Sequence, residues 1–231
     1  MQKLVAEKLS YIHQVKIVLI TVLATLIPLS SVLIIVDSTT DLPLEDLTRD
    51  PSAIMEIPPY IGILSNIGIL FWCACTTICL FTCLLLKKAN RFPEYTKFLF
   101  YSGLLTGLLL LDDFFLLHET VLPEYMFISE RKVYAVYLMI GLTFLVKFRK
   151  ILQKTEYIIF VNAIIFFALS IISDTIWEEI PNAVEDTFKL IGIVNWFTYF
   201  FRLSLLKMNS IFNVSSVKLE AALTTTDITL R

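Results

Sequence analysis

Apolar residues in this chain neither alternate nor fall into short runs. They form six long blocks, at roughly 17–36, 60–86, 98–121, 133–148, 157–180 and 183–206, with most charged residues between them. Coiled as an α-helix, a block of about 20 apolar residues matches the thickness of a bilayer's hydrocarbon core. Lipid offers no hydrogen-bond partners, so backbone groups there must be satisfied inside each helix. A membrane barrel would show alternating segments of about ten residues instead, and none appear. The pattern predicts an all-α, polytopic integral membrane protein. Its six-helix transmembrane bundle spans residues 17–206, after a short N-terminal segment (1–16) and before a tail (207–231).

Prolines and caps set the expected boundaries. Pro58 and Pro59 precede the second block, Pro93 and Pro123 flank the third, and Ser129 stands where an N-cap of the fourth belongs. Pro181-Asn182 separates the fifth from the sixth so closely that the two should form an antiparallel pair. Pro28 predicts a bend in the first. That first block is too long for the core of a signal peptide, and no small-x-small cleavage site follows it, so it reads as a retained span.

Composition agrees with the pattern: 57% of residues are hydrophobic and 17% charged, against about 25% charged in a soluble domain. The net charge of −2 says little, but its distribution says more. Fifteen of the 19 Lys and Arg fall in 1–16, 87–97, 147–156 and from Arg202 onward, whereas 16 of the 21 acids fall on the other side of the expected bundle. The positive-inside rule then predicts that both termini are cytoplasmic. Plasma or inner membrane is the favoured location. The 37–59 loop is acidic, with six carboxylates against Arg49. Neither a glycine-rich phosphate loop nor a basic stripe for nucleic acid is present. The expected partner is the lipid bilayer, not nucleic acid, and no protein partner or homo-oligomer can be read from the pattern.

All four cysteines lie in the second block. Cys75, Cys79 and Cys83 share one helical stripe, which suits close packing of small side chains better than zinc ligation or a disulfide.

Candidate chemistry sits at the predicted outer end. The third block ends in LLLLDDFFLLHET. Counted from Lys97 at 1.5 Å per residue, Asp112 lies about 22 Å along the helix and Glu119 about 33 Å. Asp112 and Asp113 therefore fall within the core, and His118 and Glu119 near its rim. A carboxylate at such depth costs several kcal/mol unless it is paired, hydrated or metal-bound. The fifth block contributes Asp174 and Glu178 at the same level, and the sixth contributes Asp186 and Lys189. On a straight helix Asp112, Asp113, His118 and Glu119 do not share one face, so a site must combine helices. The expectation is an outward-opening polar cluster of Asp112, Asp113, His118, Glu119, Asp174, Glu178 and Asp186, with Lys189 as ion-pair partner.

Three functions fit such a cluster. It could bind a cation or proton in a carrier, channel component or ion-coupled subunit, a divalent cation being the cofactor to test. It could fix helix packing in a structural or assembly subunit. It could serve a metal-dependent membrane enzyme acting on a lipid-like substrate, although no HExxH or Glu-x-x-His metal motif is present.

Overall fold

The computed structural model is all-helical, with no strand among the described residues. The structure describes residues 11–40, 43–47, 49, 51–58, 60–176 and 182–229; of these, the side chains of 11–14, 44–45, 174–176, 182 and 213–229 are not described. The chain divides into two units, residues 1–61 and 62–231.

The first unit contains α1 (Tyr11–Thr39), a 3-10 turn at Leu44–Leu47 and the short α2 (Pro51–Ile54). α1 runs through Pro28 without interruption. From Val15 to Thr39 no side chain is buried within the unit. Polar side chains along it are turned inward on their own helix. The hydroxyls of Thr21, Thr25, Ser31 and Thr39 donate to the carbonyls four residues back at 2.6–2.9 Å, which satisfies them without outside partners.

The second unit holds α3 (Ile63–Lys88), α4 (Pro93–Phe115), a π-helical segment (Leu117–Tyr125), α5 (Glu130–Leu152), α6 (Tyr157–Ile176) and α7 (Asn182–Thr229). Pro93 starts α4, where its missing N–H costs nothing. Ser129 takes extended backbone angles at the start of α5, and its carbonyl accepts from Lys132 N at 2.8 Å. α3 packs against α4 and α7, α6 packs against α7, and α5 leans on α4 and the π-helical segment.

Aromatic rings and small residues fill the centre. Trp196 on α7 meets Phe160 at 5.0 Å, Phe200 at 5.2 Å and Trp72 at 6.2 Å. Its indole N–H, buried with it, donates to Thr106 Oγ1 of α4 at 3.0 Å. Asn162 of α6 donates to Asn195 of α7 at 3.0 Å. Cys75, Cys79 and Cys83 are buried in the core, whereas Cys73 is exposed. Opposite that stripe, Gly103 lets α4 approach α3, since a Cβ there would stand 2.7 Å from Leu80 and 3.3 Å from Cys79.

Among the described residues, three helices are long and apolar enough to cross a membrane: Val15–Thr39, Ile63–Lys88 and Pro93–Phe115, of 25, 26 and 23 residues. At 1.5 Å per residue they measure about 37, 39 and 34 Å, against a core of about 30 Å. The apolar stretch of α6, Tyr157–Ser173, is shorter. Leu70, Leu84, Leu138, Val146 and Ile158 each leave more than half of their surface uncovered, far more apolar exposure than a water-soluble fold tolerates. The chain is thus a membrane-like helical protein.

Two helix ends differ from the sequence expectation. The third helix, expected to reach 121, ends at Phe115, because Leu116 adopts left-handed angles (φ 51°) and turns the chain. α7 runs on past 206 to Thr229, so the polar tail continues the helix.

Candidate functional site: two carboxylate clamps at one end of the bundle

Asp112 and Asp113 occupy the last turn of α4. Neighbouring helical residues point about 100° apart, and the two carboxylates accordingly serve different partners.

Asp113 is held from two sides. Trp72 of α3 donates its indole N–H to Oδ2 at 2.7 Å, and Lys189 Nζ of α7 lies 2.9 Å from Oδ1. The Asp113 side chain is only 11% exposed. One carboxylate thereby ties α3, α4 and α7 together through charge-assisted hydrogen bonds, the stronger kind.

Asp112 is held at both oxygens as well. Its Oδ1 accepts from the backbone N–H of His118 at 3.0 Å and from the Tyr137 hydroxyl of α5 at 2.8 Å. Its Oδ2 lies 2.6 Å from His118 Nδ1. The left-handed turn at Leu116 makes this possible by folding the chain back over the end of α4. The carboxylate then caps an amide in the first turn of the π-helical segment, a group with no partner inside its own helix. His118 is buried, and its ring lies against Tyr134 at 5.2 Å. Its other nitrogen, Nε2, is 3.4 Å from Glu119 Oε1, and the Glu119 side chain is about half exposed. A ring with a carboxylate at each nitrogen donates from both only as imidazolium.

The remaining predicted residues take several positions. Asp186 is exposed on α7 and, with Asp113, Lys189 and Ser65, borders a cavity of about 20 Å³, room for about one water. Asp174 is placed on α6 by its backbone alone, and Glu178 lies outside the described residues. The cluster expected to open outward is closed at Asp112 and His118, which keep 4% and 7% of their surface. Among the described residues, no three His, Cys, Asp or Glu side chains come together in a way that could hold a metal ion.

Sequence reasoning missed Trp72 and Tyr137. Both carry an N–H or O–H donor near the level of the aspartates on neighbouring helices, so matching helix depths across the bundle would have found them. It also missed the turn at Leu116, which nothing in LLLLDDFFLLHET announces.

At the other end of the bundle, Arg202 of α7 grips Glu156 of the α5–α6 connection with two nitrogens, Nε at 2.6 Å from Oε2. These hydrogen bonds hold the exposed Glu156 carboxyl below the usual glutamate range.

A family model matches residues 16–203, most of the chain and all of the residues that form the two clamps. The chain belongs to that family. Its description is "Domain of unknown function (DUF8692)". No curated protein and no solved structure matches the chain. The matched region begins within the first turns of α1, includes the residues of both clamps, and stops before the end of α7.

Proposed function

We propose that this protein is a six-span integral membrane protein whose outer-end carboxylates lock its helices together, a structural or assembly component of its membrane. α1, α3, α4, α5, α6 and α7 are the six spans in this reading. The lysines and arginines gathered in 1–16, 87–97, 147–156 and beyond 202 put both termini in the cytoplasm. Plasma or inner membrane remains the favoured setting, with the bilayer itself as the partner.

The observation that carries the locking role is that every carboxylate oxygen of Asp112 and Asp113 has a protein donor. Five hydrogen bonds and ion pairs, from Trp72, Lys189, Tyr137 and His118 (through its backbone and its ring), converge on two adjacent side chains. They reach α3, α5, α7 and the π-helical segment. A transported cation needs exchangeable ligands, whereas these acceptors already have protein donors. Single cysteines in a cysteine-free background test the topology. A membrane-impermeant maleimide should label Glu56→Cys and Phe127→Cys from outside, and Asn90→Cys and Gln153→Cys only after permeabilisation. Labelling of Asn90→Cys in sealed cells would reject the arrangement.

A second reading, a bound proton, is favoured by one contact. Half-exposed Glu119 faces the nitrogen of His118 that Asp112 does not use, which lines up a surface acid, an imidazole and a buried acid. Proton movement along that line requires His118. Proton uptake by proteoliposomes that disappears in His118→Asn would support it, and equal uptake by the variant would reject it.

A further inference from the structure

The bundle's other end carries a pocket that the clamps do not use. α3 stops in a turn whose hydrogen bonds run from Asn90 N to Lys87 O at 3.0 Å and from Arg91 N to Leu86 O at 3.1 Å. Asn90 takes the left-handed angles (φ 51°) that this helix ending requires. Phe92 is left-handed too (φ 54°), an uncommon state for an aromatic residue. Its ring is braced by Tyr95 at 6.3 Å and by Lys207 Nζ of α7 at 5.0 Å. The turn is thus built and held, and beside it lies an open pocket of about 390 Å³, within the usual range for a small-molecule site.

Arg91 lies in the turn, Lys87 next to the end of α3 and Lys97 one turn into α4, while Cys83 and Phe100 lie further along those two helices. At 1.5 Å per residue, Cys83 is about 6 Å deeper than Lys87, and Phe100 about 4.5 Å deeper than Lys97. No carboxylate lines the pocket. Among the described residues, none of the three cations forms an ion pair with the protein. The Arg91 guanidinium lies over the Phe92 ring at 5.4 Å, and three cations without a carboxylate partner beside an apolar wall, at a membrane–water boundary, match a phosphate headgroup with its acyl chain running inward.

We infer that this pocket binds an anionic phospholipid of the leaflet that faces the 87–97 turn. Arg91, Lys87 and Lys97 contact the headgroup phosphate, and one acyl chain runs past Cys83 along the exposed ring of Phe100. The inference rests on the bilayer placement proposed above and goes beyond it, since the clamps play no part. The full chain, purified in detergent and titrated with phosphatidylglycerol or phosphatidylcholine under native mass spectrometry, tests it. The expected result is saturable binding of one phosphatidylglycerol with weak binding of phosphatidylcholine. The Arg91→Gln/Lys97→Gln double variant should lose roughly tenfold or more in affinity, while Lys88→Gln, outside the pocket, should bind as the parent does. Equal binding of the two lipids, an unaffected double variant, or displacement by millimolar inorganic phosphate would each overturn it. The measurement needs no sealed membrane, so failure of lipid binding stays distinguishable from failure of the topology labelling.

Discussion

Replacing Asp113 with leucine removes the acceptor for two donors at once. The indole N–H of Trp72, whose residue is 3% exposed, loses its acceptor at 2.7 Å, and an orphaned buried donor costs about 1–3 kcal/mol. Lys189 loses a carboxylate at 2.9 Å, but its side chain is 35% exposed, so water offsets part of that loss and about 1 kcal/mol is a fair allowance. The single variant should therefore lose about 2–4 kcal/mol. Removing Lys189 as well, in Asp113→Leu/Lys189→Leu, takes away the uncompensated charge and adds apolar surface. Exchange of a whole ion pair for apolar residues is commonly neutral or better. The double variant should recover all but the share belonging to Trp72. Conversely, Asp113→Asn keeps an acceptor for the indole and should cost less than Asp113→Leu. A double-mutant cycle with Trp72→Phe should return a coupling of about 0.5–1.7 kcal/mol, the span found for hydrogen bonds inside membrane proteins. Unfolding in mixed micelles by SDS titration, followed by tryptophan fluorescence in the variants that retain Trp72 and by circular dichroism throughout, measures each quantity. If the double leucine variant is no more stable than Asp113→Leu alone, the clamp reasoning is wrong.

Other outcomes follow from the same geometry. Asp112→Ala should free residues 117–125 from the end of α4, seen as faster amide exchange there with α3 and α7 unchanged; uniform loosening would deny the capping role of Asp112. Gly192→Ala should destabilise by about 1–3 kcal/mol, because its Cβ would stand 2.7 Å from the Phe167 ring. Gly141→Ala, with nothing within 4 Å, should be neutral or gain about 0.5–1 kcal/mol, and the reverse order in an unfolding assay would contradict the packing of α6 on α7. Arg202→Gln should return the Glu156 carboxyl toward its ordinary titration, read by carbon NMR. With the folded value depressed, the contribution of that pair is present above the ordinary glutamate pKa and fades as pH falls through the depressed one.

The helices were readable because lipid removes the alternatives. An apolar block of about 20 residues in a bilayer has only the helix to satisfy its backbone. Charges then mark its ends, as Lys87-Lys88 and Pro93 mark the α3–α4 connection. The place of Asp112 and Asp113 near the end of a long apolar helix was readable for the same reason, and so was the conclusion that each needs a partner. The identity of those partners was not. Trp72 and Tyr137 lie 41 and 25 residues from the aspartates they bind, and pairing across helices depends on rotation about each axis, which apolar periodicity leaves loose when the outer face is apolar too. The third helix's end was misjudged because Leu116 is an ordinary helix former, and nothing in its residue type announces the left-handed angles it takes. His118, expected on one straight helix with the aspartates, reaches Asp112 by a backward turn instead, and Glu119 meets the other side of its ring. Asp174 and Glu178, grouped with the cluster by level alone, have no described side-chain contact to compare with that expectation.

The central claim is that the outer-end carboxylates lock helices and carry no ion. Its most direct test is cation and proton flux through proteoliposomes of the full chain, beside Asp112→Asn and Asp113→Asn at matched incorporation. The account predicts no flux above protein-free vesicles in any of the three, together with lowered unfolding midpoints for both variants. Flux in the parent that vanishes in either variant while its unfolding midpoint is unchanged would contradict it.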